Sequence, residues 1–133
     1  MILGRTVRLA FFFLCLLGVH NNSFGQRYDL VIHASETGLA GNQVNDITQD
    51  SLGLLWVATD HGISQFDGIV FKNYTIRHGL AESFCSAVLC DAQGRVWVGH
   101  QAGGVSVIMR DTVIRYTEES GLANNEVHDI IQT

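Results

Sequence analysis

Short apolar runs rich in β-favouring residues, broken every eight to twelve positions by turn residues, extend through most of this chain. The pattern is clearest from residue 44 onward. Val44 to Gln49 reads as a strand stopped by Asp50-x-x-Gly53, where the Asp side chain accepts backbone N–H groups and the Gly takes the left-handed conformation. Leu54 to Thr59 is a second run, apolar on both faces. Asp60-His61-Gly62 turns the chain into Ile63 to Phe66, and Asp67-Gly68 turns it into Val70 to Thr75. Four short strands joined by tight turns predict an antiparallel meander. The same layout recurs at Cys85 to Cys90, Arg95 to His100, Val105 to Met109 and Thr112 to Thr117. Val44 and Ile47, three apart, would also suit a helix, but the recurring Asp-x-x-Gly turns and β-favouring residues argue against it.

The recurrence is a sequence repeat. Gly38-Leu39-Ala40 returns as Gly79-Leu80-Ala81 and Gly121-Leu122-Ala123, and Trp56-Val57 returns as Trp97-Val98. The offset is 41 residues up to the Trp and 42 after the added glycine of Gly103-Gly104. Asn125-Glu126-Val127-His128-Asp129-Ile130 then repeats Asn42-Gln43-Val44-Asn45-Asp46-Ile47. A four-stranded unit at this period indicates propeller blades. A strand apolar on both faces must be covered on both sides, which blades stacked face to face achieve. An open sandwich would not require the repeat. The expected class is all-β: β-propeller blades as four-stranded antiparallel meanders, units 38–78 and 79–120 complete, 121–133 the start of a third, and the ring incomplete. The last residues, Gln132-Thr133, fall in mid-strand and read as the end of a fragment.

Residues 1–25 read as a secretory signal peptide, with Arg5 and Arg8 before an apolar core from Leu9 to Val19. Small residues Ser23 and Gly25 place the cut before Gln26, whereas an uncleaved anchor would need about 20 apolar residues. Bulky Phe13 and Leu14 before Cys15 disfavour a lipoprotein. Residues 26–37 hold a strand-like run, Tyr28 to His33, in the place before Gly38-Leu39 that Val70 to Thr75 holds before Gly79-Leu80. This run is expected to pair with the last blade and close the ring. Two units and a stub leave strand edges open, so residues 26–133 alone are expected to self-associate or dissolve poorly.

Charge and cysteine content narrow the partners. Past residue 25 the chain carries six basic and thirteen acidic residues, a net of −7, with no Lys/Arg run. That disfavours nucleic acid and anionic membrane as ligands. Cys85 and Cys90, five apart on one strand, point to opposite faces and are poorly placed for a disulfide. Cys85 aligns with Val44 and Val127, so a small buried hydrophobe is its expected role. No metal-ligand spacing and no nucleophile–base arrangement stands out, so neither metal, cofactor nor catalytic residue is expected.

The unit resembles the two-component regulator propeller repeat, which carries Gly-Leu, Asn-x-Val-x-x-Ile, Asp-x-x-Gly, Trp-Val, Asp-x-Gly and Phe-Asp-Gly in this order. The chain supplies Gly38-Leu39, Asn42 to Ile47, Asp50 to Gly53, Trp56-Val57, Asp60-His61-Gly62 and Phe66-Asp67-Gly68. It departs from the pattern at Ala58, at His100-Gln101 in place of Thr-Asp, and at Met109-Arg110 in place of Asp-Gly. The resemblance implies an exported propeller, commonly seven-bladed, in a sensor of the Bacteroidetes type. In such sensors an immunoglobulin-like domain, a membrane span and a cytoplasmic histidine kinase follow the propeller, and oligosaccharides are common ligands. It further implies a periplasmic, membrane-anchored, dimeric parent whose remaining blades are the partners of these. No phosphoacceptor helix or nucleotide-binding stretch is present, so the chain itself is not expected to be a kinase.

Propeller ligands usually meet loops at one mouth of the central channel. That points to Asn45 and Asp46, His128 and Asp129 on the first strands, and to Asp60, His61, His100 and Gln101 at turns. Each also has a plainer reading as solvated channel or turn polarity. Asp50 and Asp91 read as turn residues, Trp56 and Trp97 as core rather than sugar-stacking platforms, and Glu118-Glu119 as a solvated pair. The leading function is a sensory binding module. An exported propeller enzyme (a lyase or quinoprotein) and a secreted interaction scaffold are the alternatives.

Overall fold

The computed structural model describes residues 31–133. The expected signal peptide and the run from Tyr28 to Leu30 lie outside the described residues, and Val31 to His33 form no strand. Eight strands follow: β1 (Val44–Gln49), β2 (Leu55–Thr59), β3 (Gly62–Phe66), β4 (Phe71–Tyr74), β5 (Cys85–Cys90), β6 (Val96–His100), β7 (Val105–Met109) and β8 (Thr112–Tyr116). They form two four-stranded sheets, each an antiparallel meander in chain order, β1-β2-β3-β4 and β5-β6-β7-β8. Five strands start or stop one residue inside or outside their expected bounds, because ladder bonds end where the tight turns begin. The segment after Gly121 carries no strand, although it docks by its backbone. Val127 N–H donates to the His100 carbonyl at 2.9 Å and Gly104 N–H to that of Asn125 at 2.8 Å.

The registers of the two sheets match, down to the irregularity. Val44 pairs with Thr59 and Asp46 with Ala58, a shift that bulges β1 at Asn45. Cys85 pairs with His100 and Ala87 with Gly99, which bulges β5 at Ser86 in the same way. A bulge turns its side chain out of the ladder. Here it aims Asn45 and Ser86 at the next repeat.

The sequence reading did not contain the three single 3-10 turns at Ser35–Thr37, Ile76–His78 and Glu118–Ser120. Each ends in the glycine of a Gly-Leu pair at φ 107°, 105° and 102°, backbone that favours glycine. The reversal returns the following leucine amide to the turn's start, as in Leu80 N–H to the Thr75 carbonyl at 3.3 Å. That places Leu39 and Leu80 in the core. The repeated Gly-Leu is thus a reversal followed by an apolar anchor.

The core lies between the sheets. Trp56, Ala58, Ile63 and Tyr74 of the first pack against Leu80, Cys85, Val88, Val96, Val98 and Ile108 of the second repeat. Full burial of such side chains contributes roughly 1.5–3 kcal/mol each. Cys85 fills the expected hydrophobic place, free and fully buried, and burial pushes its thiol up to about 12. The residues equivalent to Cys85 and Val88 on the opposite side of the first sheet, Val44 and Ile47, are 50% and 55% exposed. The first blade therefore has one covered and one open face.

Candidate ligand-facing rim

Antiparallel meanders collect alternate turns on opposite edges. The β2–β3 and β6–β7 turns share one rim with the segments leading into β1 and β5, while the Asp-x-x-Gly turns share the other. Asp60 organises the first rim in the first blade. Its N–H donates to the Gln43 carbonyl at 3.2 Å, its Oδ1 accepts Gln43 N–H at 3.3 Å, and its Oδ2 lies 2.9 Å from His61 Nδ1. The bond from His61 holds the Asp60 carboxyl below the usual carboxylate range. Gly41 makes room for this carboxylate, because a Cβ there would collide with Asp60 Oδ1. Gln43 Nε2 then reaches Asn45 Oδ1 at 3.0 Å.

The second blade supplies its rim carboxylate from the other side. Glu82 stands where the first repeat has Gly41, and its Oε2 accepts the Ala102 N–H at 2.8 Å. Gln101 is exposed on this turn. His128 also lies exposed, its Nε2 3.3 Å from Glu126 Oε1. Sequence reasoning passed over Glu82. Its signal was a carboxylate at a repeat position otherwise held by Gly41 and Asn124.

Four of the selected residues are otherwise engaged. Asn45 Nδ2 donates to the Cys85 carbonyl at 2.8 Å, and Asp46 Oδ2 accepts Val88 N–H at 2.9 Å, so both tie the first blade to the second. Asp129 Oδ1 caps Ile130 N–H at 2.8 Å. His100 closes β6 instead of sitting on a turn; it is fully buried, and both ring nitrogens have partners. The exposed polar groups left among them are His61 and Gln101 on the rim, beside the Asp60 carboxylate already held by Gln43 N–H and His61, and His128 in the segment after β8. Among the described residues no group of three or more His, Cys, Asp or Glu is placed to hold a metal ion.

Neither tryptophan offers a free stacking platform on this rim. Trp56 is buried against Tyr74, with ring centroids 5.7 Å apart, and Trp97 stacks on Tyr116 at 6.3 Å. Their indole N–H groups donate to Asp50 and Asp91 of the opposite rim's turns, at 2.9 and 2.8 Å.

A model of the two component regulator propeller family matches residues 38–61. A histidine kinase P4 of Formosa agariphila is 51% identical over 37 residues, 28% of this chain and 3% of the kinase's length. The extracellular domain of BT3049 from B. thetaiotaomicron, assigned to a hybrid two component system, superposes with TM-score 0.65 at 27% identity. That match covers 72% of this chain and 15% of the domain. The extracellular domain of BT4673 from the same organism, assigned to a one component system, superposes with TM-score 0.57 at 22% identity. It matches 70% of this chain and 14% of that domain, and supports the fold alone.

Proposed function

We propose that this chain, whose first repeat is of the two component regulator propeller type, forms opening blades of the ligand-sensing propeller of a two-component sensor. The observation carrying this reading is the pair of four-stranded blades joined face to face, architecture shared with extracellular sensor domains. The blades are exported through residues 1–25 and lie in the periplasm. Their partners are the remaining blades of a membrane-anchored, dimeric histidine kinase, and nucleic acid is not a ligand. The ligand is an extracellular carbohydrate or another small hydroxyl-bearing molecule, met by Asp60, His61 and Gln101 on the rim and by His128. Hydrogen bonding by carboxylate, imidazole and amide groups suits such a ligand, and none of these groups is set against a nucleophile.

Coding sequence read past codon 133 tests the sensor reading. Further repeats followed by a membrane span and a kinase are expected. Continuation into blades bearing a cofactor or catalytic cluster would replace it with an exported enzyme. Titrating the gene's complete product with an oligosaccharide panel tests the rim. Asp60→Asn and His61→Gln are expected to weaken binding at least tenfold, and unchanged affinity in both variants removes this rim from the site. Alkaline phosphatase fused after residue 37 is expected to be active only if the leader exports it.

A further inference from the structure

His100 is set into the second blade as an acceptor that cannot become a donor without leaving the Ser106 hydroxyl hydrogen unpaired. Its side chain is fully buried at the end of β6, where the first blade has Thr59. Nδ1 lies 3.0 Å from the Phe84 carbonyl oxygen, which can only accept, so Nδ1 carries the proton. Nε2 lies 2.8 Å from Ser106 Oγ and therefore accepts the serine proton. Ser106 Oγ in turn accepts Ala81 N–H at 3.0 Å, holding the Gly79-Leu80-Ala81 loop. One neutral tautomer satisfies the whole chain of bonds.

The first blade performs the same task without a titrating group. Ser64 accepts Ala40 N–H at 2.9 Å but passes its proton to Asn73 Oδ1 at 2.7 Å. Thr59 spends its hydroxyl on the Gly62 carbonyl at 2.8 Å.

We propose that His100 is an acid-release latch: protonation at Nε2 frees the Ala81 end of the Gly79-Leu80-Ala81 loop, next to the rim of the second blade, while Leu80 stays anchored and the first blade stays closed. A proton on Nε2 points a second donor at Ser106 Oγ beside Ala81 N–H. The serine hydroxyl hydrogen then has no acceptor among the groups around it, and turning Ser106 towards a new one withdraws Oγ from the Ala81 N–H. His100 also carries the carbonyl that holds Val127, so the segment after β8 is anchored to the same residue.

The charged and titratable groups around the ring are few. Burial holds the imidazole below its usual range; the Phe84 carbonyl and then Glu82, on the segment entering β5, favour the protonated ring but do not offset it. Cys85 faces His100 in register with a thiol held protonated by burial. From β7 comes only the Ser106 hydroxyl. From the segment after β8 comes the Val127 amide, with Glu126 and His128 paired to each other at the surface. Opening relieves part of the burial that holds the ring's proton affinity down. Acid therefore favours opening, by at most about tenfold per pH unit for one proton, until the closed blade itself protonates. The proposal goes beyond the sensing reading and stands on the fold alone.

The test is amide exchange in the full chain between pH 7.5 and 5, expressed as protection factors so that intrinsic exchange cancels. Protection of Ala81 is expected to fall as the pH drops, by up to about tenfold per unit, while that of Ala40 stays level. His100→Gln and His100→Thr, the latter copying the first blade, are expected to flatten the Ala81 profile. Level Ala81 protection in the native chain overturns the proposal, as does an equal fall at Ala40 or an unchanged fall in a folded variant. If neither variant folds, the contrast between Ala81 and Ala40 within the native chain decides alone.

Discussion

The indole nitrogen of Trp97 donates to the carboxylate of Asp91 across 2.8 Å, six residues back along the chain. Trp56 repeats the contact with Asp50 at 2.9 Å. Each Asp thus does more than end a turn. Its Oδ1 caps the turn, in Asp91 by accepting Gln93 and Arg95 N–H at 3.0 and 2.9 Å, while its Oδ2 fixes the large ring of the following strand. Arg95 Nε adds a second donor at 2.6 Å.

Asp91→Ala leaves these donors unpaired around a side chain only 5% exposed. The expected cost is about 2 kcal/mol, read as a lowered urea midpoint of the full chain. Asp67→Ala is the control, since that carboxylate also caps two amides, of Ile69 and Val70, but in an exposed turn with no indole attached. A clearly smaller loss is expected there, because water replaces the lost acceptor. Equal losses at the two sites would show that the Trp contact contributes nothing.

Acid should expose the same carboxylate. Burial raises the Asp91 pKa, but the bonds from Trp97 and Arg95 outweigh it and hold the group at about 2, below its ordinary 3.8. A depressed carboxylate stabilises the fold above its unfolded value, and that stability is lost as pH falls from about 3.8 towards 2. The urea midpoint of the native chain is expected to drop across this window. Asp91→Asn is expected to start lower and to lose less there.

Gly62 and Gly68 separate two reasons for glycine. Both have positive φ, 138° and 99°, but only at Gly62 would a Cβ collide with a backbone atom, the Tyr74 carbonyl oxygen. Gly68→Ala is expected to cost about 1–2 kcal/mol, the ordinary penalty for left-handed backbone. Gly62→Ala is expected to cost more, because β3 and β4 must separate. Thermal midpoints of the two variants check the order.

Asn45 and Asp46 connect the blades, through the Cys85 carbonyl and the Val88 amide. Alanine at either position is expected to cost about 1 kcal/mol. Asp46→Ala should speed exchange of the Val88 amide while leaving amides within β2 and β3 protected. Uniformly faster exchange across both sheets would mean that the blades open as one unit.

Most of the fold was legible before any coordinates. Asp-x-x-Gly, Trp-Val and Gly-Leu recur at a fixed offset, and every strand falls within a residue of its expected bounds because turn chemistry is local. The 3-10 turns were missed, although a signal existed. The third residue of each turn, Thr37, His78 or Ser120, accepts the N–H of the residue before the turn, at 2.8, 3.1 and 3.0 Å. All three differ in type, so the shared role does not show as a shared letter. His100 ends the expected strand from Arg95 and also borders the turn at Gln101; its alignment with Thr59, the last residue of β2, is what decides for the ladder.

The sequence by itself determined the repeat, the strand order, the turns and the apolar character of the face between blades, since each depends on residues close in the chain. Only the tertiary structure decided which polar residues remain free. Asn45, Asp46 and His100 look as available as Asp60 and His61 in the one-dimensional pattern. Yet packing of one blade on the next commits Asn45 and Asp46 to partners 40 and 42 residues away, and the fold of the second blade commits His100 to Phe84 and Ser106 within its own repeat. A polar side chain on a strand meets whatever the neighbouring blade places opposite it, and hydrogen-bond satisfaction across that interface depends on register between blades, which no local pattern encodes.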